Sequence, residues 1–247
     1  MRLIPLEIGR IDADLDELLG TAGRQMLPVP SWLIEHPRGT VLFDTGLHPE
    51  LRISLDRLRG SMAKSSVLLP DGADLTARLS AAGWRPSDID LVIFSHLHFD
   101  HCGGTGELPD ARLLVQAVEW EAAHHPRLVQ AAVYNPDDFD LGHDRQLIEG
   151  EFDVFGDGHI VCIPTPGHTK GHQALRVTLD SGPVVLTGDC VYFARMLQDL
   201  DVPRLCYSAD LQRESMRALA RMQTDGCRLL FGHDLEQFQA LPREGLR

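Results

Sequence analysis

Three histidines and an aspartate fall within six residues: His96, His98, Asp100 and His101, inside the run Ser95-His-Leu-His-Phe-Asp-His-Cys-Gly-Gly104. The pattern H-x-H-x-D-H sets imidazole beside carboxylate, the ligands that suit zinc and similar divalent ions. His96 and His98 are two apart, so extended or loop backbone can aim both at one point. Asp100 and His101 lie just beyond, where a bend can turn them toward a second point. Four ligands this close are hard to satisfy on one tetrahedral ion. Two ions sharing a bridging group resolve the crowding. Gly103 and Gly104 permit a tight turn close to such a centre.

Two ions require further ligands. The chain offers His168 in Thr165-Pro-Gly-His-Thr169, Asp189 in Thr187-Gly-Asp189 and His233 in Phe231-Gly-His-Asp234. Each follows a short apolar run, at 160–163, 183–186 and 228–231, and each is preceded by glycine. One Gly-His or Gly-Asp pair after a strand reads as a turn. Three of them behind H-x-H-x-D-H form a set.

Elements must bring these segments together, and their signals alternate along the chain. Runs 31–35 and 40–43 flank the turn-like His36-Pro-Arg-Gly39 and predict a hairpin. Asp74 is placed to cap a helix carrying Leu75, Leu79 and Ala82 on one face and ending at Gly83. Runs 91–94 and 113–116 predict buried strands, and 119–125 a helix that stops at Pro126. Runs 160–163, 173–178, 183–186 and 228–231 predict further strands. Residues 208–222 predict an amphipathic helix with Leu211, Ser215, Leu219 and Met222 at helical spacing. A faint echo links 39–46 with 182–189: each is a turn, an apolar strand and an Asp/Gly exit. Strands and helices mixed in both halves predict α/β layers, with helices covering sheets.

Composition narrows the function. Among 247 residues, 23 Lys+Arg against 36 Asp+Glu leave a net charge of −13. That excludes a general nucleic-acid binder, which carries a basic face, and disfavours adhesion to an anionic membrane. Lys64 and Lys170 are the only lysines, so a Schiff-base mechanism has few candidates. With no long apolar run, neither a membrane span nor a signal peptide is expected. The cysteines Cys102, Cys162, Cys190, Cys206 and Cys227 are odd in number and widely spaced. They predict reduced, mostly buried thiols in a cytoplasmic protein. Cys102 and Cys190, although next to candidate ligands, are expected to pack rather than ligate.

The order H-x-H-x-D-H, His168, Asp189, His233 resembles the dinuclear hydrolases of the metallo-β-lactamase superfamily. The surrounding words, at 95–104, 115–124, 147–150, 165–173 and 231–237, resemble N-acyl-homoserine lactonases. The resemblance runs from about Trp32 to Gln237 and is weaker before Pro30 and over 47–69. It implies an α/β fold, the αβ/βα four-layer sandwich, as a single hydrolase domain over 1–247. It also implies two divalent metal ions, zinc by default. On that resemblance His96, His98 and His168 hold one ion, Asp100, His101 and His233 the other, and Asp189 bridges both. Tyr192 would contact the substrate carbonyl, and Asp44 would orient a ligand histidine. The implied reaction is hydrolysis of the lactone ring by a hydroxide between the ions, with Asp100 passing a proton to the leaving oxygen. Its biological role would be quorum quenching. A lactonase for another ring, such as a pyridoxolactone, and a glyoxalase-II-like thioesterase are the alternatives. The partners implied are a small lactone and, as an option, a second copy of the chain in a homodimer, with no nucleic acid and no membrane. The spacing of His172 from His168 favours a structural role. Phe99 is expected beside the site, and Met26, Leu27 and Phe193 are candidates for an apolar pocket.

Overall fold

Successive strand side chains point to opposite faces, and most strand interiors are buried on both, in two sheets packed face to face with helices outside. The computed structural model describes residues 1–58, 66–131 and 133–247. The first sheet has the order β4-β1-β2-β3-β5-β6-β7. Its strands are β1 (Arg2–Asp14), β2 (Arg24–His36), β3 (Gly39–Phe43), β4 (Ser66–Leu68), β5 (Leu91–Ile93), β6 (Arg112–Gln116) and β7 (Arg145–Ile148). The second has the order β12-β11-β10-β9-β8. It comprises β8 (Phe152–Asp153), β9 (Ile160–Pro164), β10 (Gln173–Leu179), β11 (Gly182–Leu186) and β12 (Arg228–Leu230). The helices are α1 (Leu15–Leu19), α2 (Leu75–Ala81), α3 (Phe99–Cys102), α4 (Ala117–Ala123), α5 (Pro126–Gln130), α6 (Ala194–Asp199), α7 (Ala209–Thr224) and α8 (Leu235–Gln239).

Three apolar clusters separate four layers. Trp32, Ile34, Val41, Phe43, Leu91 and Ile93 meet Leu175, Val177, Val184 and Leu186 between the sheets. The alternate residues Leu33, Leu42, Val92 and Leu113 face outward, against Leu75 and Leu79 of α2 and Ala122 and Ala123 of α4. On the far side Ala174, Val185 and Leu229 pack against Met216 and Leu219 of α7. The result is the αβ/βα sandwich. The echo between 39–46 and 182–189 has a structural counterpart: β3 and β11 have the same pairing pattern in their sheets. Each pairs antiparallel with the strand before it and parallel with the next, β2-β3-β5 in one sheet and β10-β11-β12 in the other.

The expected elements are present, with four informative differences. Strand β1 gave no clear period-two signal, because Pro5 and Gly9 interrupt it and its register with β2 shifts between Glu7 and Arg10. Gly9 has φ +80°, and a Cβ there would lie 2.9 Å from the Leu68 carbonyl oxygen. Pro126 does not merely end a helix; it opens α5, where its missing N–H costs nothing. On α7 the buried face carries Gln212, Ser215, Met216 and Leu219, while Leu211 is exposed. The Gln212 amide turns inward because it donates to the carbonyls of Asp189 and Cys190, both at 3.1 Å. Gly103 and Gly104 have ordinary negative φ. Their role is close approach, since a Cβ would lie 2.3 Å from the His48 nitrogen and 2.5 Å from the Thr45 oxygen respectively.

Candidate metal centre

Five strands, two from one sheet and three from the other, end at one place. β5 runs into the loop carrying His96 and His98, and Asp100 and His101 occupy the first turn of α3. β9 leads to His168, β11 to Asp189 and β12 to His233, while Asp44 follows β3. The loops reach this edge through glycines. Gly167, at φ +141°, lets its loop touch the α7 backbone, where a Cβ would lie 2.3 Å from the Gln212 nitrogen. A Cβ on Gly232 would lie 2.4 Å from the Gly188 oxygen.

Each of three clusters brings one ligand atom per residue within 4.8 Å of the others: His96, His98 and His168; His96, His101 and Asp189; Asp100, His101 and His233. In the first, His98 Nδ1 lies 3.0 Å from both His96 Nε2 and His168 Nε2. In the third, Asp100 Oδ2 lies 3.6 Å from His101 Nε2 and 3.8 Å from His233 Nε2. Asp189 stands between. Its Oδ1 is 3.1 Å from His101 Nε2 and 3.0 Å from His233 Nε2, and its Oδ2 is 3.3 Å from His168 Nε2. One carboxylate thus presents one oxygen to each histidine group.

Comparison with known proteins agrees with this geometry. The profile of the metallo-beta-lactamase superfamily matches residues 24–233. The chain belongs to the metallo-beta-lactamase superfamily. It is 33% identical over 216 residues to an N-acyl homoserine lactonase of Bacillus sp, covering 85% of this chain and 83% of that one. It is 31% identical to the N-acyl homoserine lactonase AttM of Rhizobium radiobacter, covering 95% and 93%. Among solved structures it superposes on an N-acyl homoserine lactone hydrolase bearing the product N-hexanoyl-L-homoserine at its catalytic metal center. That match has a TM-score of 0.85 and 29% identity, covering 98% of this chain and 96% of the other.

The polar atoms of this superfamily member fit a cation. Ser95 Oγ donates to Asp44 Oδ2 at 2.8 Å, so it accepts from His96 Nδ1 at 2.9 Å. His101 Nδ1 donates to Asp44 Oδ2 at 2.8 Å, and His233 Nδ1 to the Pro28 carbonyl at 2.8 Å. With the proton on Nδ1, each of these rings points a bare Nε2 inward. Buried His101 Nε2 and Asp189 Oδ1 find no hydrogen-bond partner among the described residues. Such orphans demand an explanation, and an ion supplies one.

Electrostatics divides the two ends of the site. Burial pushes the imidazoles of His96 and His168 well below their ordinary pKa, and that of His98 down to about 4. All three are therefore neutral, the form that ligates. Burial acts on His101 too, but Asp189, Asp100 and Asp44 outweigh it and raise its pKa well above the ordinary value. His233 is raised against burial by Asp189 and then Asp100. Burial alone would raise Asp189, yet His101, His233 and His168 hold its carboxyl well below the usual range. A field that draws protons this strongly also draws a divalent cation.

The other expected residues fall around this centre. Tyr192 is buried, its ring edge-on to those of His233 at 4.9 Å and His168 at 5.9 Å. Burial and then Asp189 and Asp100 push its hydroxyl up, so it stays protonated and able to donate. His172 is fully buried; its Nε2 accepts from the Asp189 backbone N–H at 3.0 Å, and its Nδ1 lies 2.8 Å from Thr165 Oγ1. Cys102 and Cys190 pack in the core. Leu27 and Phe193 are buried in the same cluster as Tyr192, with Phe99 partly buried against it. Of the weakly matching segment 47–69, residues 59–65 lie outside the described residues.

Three contributors were not singled out from sequence. The Pro28 carbonyl that fixes His233 comes from β2, and a backbone acceptor leaves no mark in a residue type. Gln212 braces Asp189 from α7. Glu119 is a fully buried carboxylate on α4, and its helical spacing with Ala122 and Ala123 was the available signal.

Proposed function

We propose that this chain hydrolyses the lactone ring of N-acyl homoserine lactones with two divalent metal ions, zinc by default, within one domain spanning 1–247. The observation that carries the reading is Asp189, whose two oxygens face two separate groups of histidines. The two N-acyl homoserine lactonase relatives and the product-bound hydrolase support the choice of substrate. His96, His98 and His168 would hold one ion, Asp100, His101 and His233 the other, with Asp189 shared. When bound, such ions supply Lewis acidity and bring the pKa of water near 7. The chain's own residues then do the following. Tyr192, kept protonated, donates to the oxyanion that develops on the lactone carbonyl. Asp100 takes the proton of the attacking water and delivers it to the ring oxygen as the acyl C–O bond breaks. Water adds across that bond, and the product is an open-chain hydroxy acid.

No helix among the described residues is long and apolar enough to cross a membrane. Five free cysteines support a reducing, cytoplasmic setting, and quorum quenching would follow from the proposed substrate. The test is a pH-drop assay of the metal-loaded protein on short- and long-chain N-acyl homoserine lactones, with a pyridoxolactone, phenyl acetate and a glutathione thioester alongside. A kcat/KM highest on the acyl homoserine lactones, abolished by chelation, is expected. Activity confined to the pyridoxolactone or to the thioester would move the function to that substrate.

A further inference from the structure

The two groups of histidines are held in different ways. In the Asp100, His101 and His233 group, the rings are fixed directly, His101 by Asp44 and His233 by the Pro28 carbonyl. In the other group, among the described residues, only His96 has such an anchor, through Ser95 Oγ. His168 Nδ1 is buried with no partner among the described residues. Something else must fix the spacing between the loop that carries His96 and His98 and the loop that carries His168.

Glu119 touches both loops. Its Oε1 accepts from the backbone N–H of Leu97, the residue between His96 and His98, at 3.1 Å. Its Oε2 accepts from Thr169 Oγ1 at 2.7 Å and from the Gly171 N–H at 2.9 Å, just past His168. The fourth bond comes from the Tyr134 hydroxyl to Oε1 at 3.1 Å, and the Tyr134 ring lies 5.3 Å from that of His98. Every contact is a donor, and two are backbone N–H groups that can only donate. The second loop is also shaped to reach this carboxylate. A Cβ on Gly171 would lie 2.4 Å from the Glu119 nitrogen, so only glycine lets the loop sit on the start of α4.

We infer that Glu119 is a positioning residue: it clamps the loop of His96 and His98 to the loop of His168, and thereby sets the metal affinity of the three-histidine site alone. The inference rests on the proposed ligand assignment and not on the lactone. Asp44 is its counterpart at the other site, acting on a ring where Glu119 acts on backbone.

Glu119→Gln tests it. An amide has one acceptor oxygen where the carboxylate has two, so the –NH2 must face the N–H of Leu97 or of Gly171. Zinc binding to the metal-free protein, read by competition with a chromophoric chelator, should show two sites in the parent. In the variant one site should weaken by about ten- to a hundredfold, the usual effect of removing a group that orients ligands. Cobalt loading identifies which. With one equivalent of cobalt, the variant should show the shifted imidazole N–H resonances of His101 and His233 and lack those of His96, His98 and His168. The parental affinity at both sites, or an equal loss at both, would overturn the clamp. If Glu119→Gln does not fold, Thr169→Val removes one bond of the four; a selective but smaller weakening is expected, and the parental affinity at both sites overturns the inference. A parent that binds two ions and opens no lactone would remove the proposed substrate and leave the clamp standing. A parent that binds no ion would overturn both.

Discussion

Asp44→Asn changes one atom and forces a proton to move. Asp44 accepts from the Ser95 N–H at 2.7 Å through Oδ1, and from Ser95 Oγ and His101 Nδ1, both at 2.8 Å, through Oδ2. In the asparagine variant Oδ1 keeps the Ser95 N–H, so the –NH2 replaces Oδ2. It then meets the His101 Nδ1–H donor against donor. The Ser95 hydroxyl, 3.3 Å from Nδ1, already accepts from His96, so the ring escapes by carrying its proton on Nε2, the atom that faces Asp189 at 3.1 Å. The lone pair offered to a metal is lost in that tautomer. One charge-assisted hydrogen bond is worth about 1.5–3 kcal/mol. At about 1.4 kcal/mol per tenfold, this corresponds to roughly a ten- to hundredfold loss of affinity at the Asp100, His101 and His233 site. The backbone should not confuse the result, because Asp44 sits at φ +60°, a region asparagine tolerates. Asp44→Ala would add about 1–2 kcal/mol of strain there and is the poorer test. Zinc affinities from chelator competition, together with lactone turnover at limiting and excess zinc, read the outcome. One weakened site and activity restored by excess zinc are expected. Parental affinity at both sites would refute the role given to the Asp44–His101 pair.

Three further outcomes follow from the geometry. Tyr192→Phe should lower kcat by about a hundredfold, the scale for one oxyanion donor, with zinc content unchanged; parental kcat and KM would remove the hydroxyl from the chemistry. His172 must be neutral to accept from Asp189, and burial pushes its pKa down to about 3. Its folded pKa lies below the unfolded value of 6.5, so its stabilisation is complete above pH 6.5 and fades as pH falls toward 3. At pH 4.5 the loss is on the order of 3 kcal/mol. Urea unfolding of metal-free parent and His172→Gln between pH 7 and 4.5 should show a flatter pH dependence in the variant, and identical slopes would contradict the assignment. Gly232→Ala drives a Cβ against the Gly188 carbonyl and should lower the thermal midpoint, by about 1–3 kcal/mol of stability, while weakening metal binding through His233; an unchanged midpoint would show that the loops yield freely.

The candidate ligands were legible because metal chemistry restricts residue type, and because each stood at the exit of an apolar run. The strands that were clear in sequence, 91–94 and 183–186 among them, are buried on both faces and read as continuous apolar runs. Strand β1 was obscure for the opposite reason: it is long, bulged and interrupted by Pro5 and Gly9. Leu211 illustrates a second limit. Helical spacing placed it inward, but a polar demand, the carbonyls of Asp189 and Cys190, turned Gln212 inward instead. Glu119 was hidden in the same way, since a buried carboxylate is justified only by donors that lie 15 to 52 positions away. Sequence shows which residues can ligate; the contacts that orient them are set by tertiary packing.

The most direct test of the two-ion reading is an activity titration. Metal-free protein is given zinc in steps, and opening of an N-acyl homoserine lactone is measured at each. Turnover should stay low through the first equivalent and reach its plateau at two per chain, with Asp189→Ala failing to hold the pair. A plateau at one equivalent, or full turnover in the metal-free protein, would contradict a site built on a carboxylate shared between two ions.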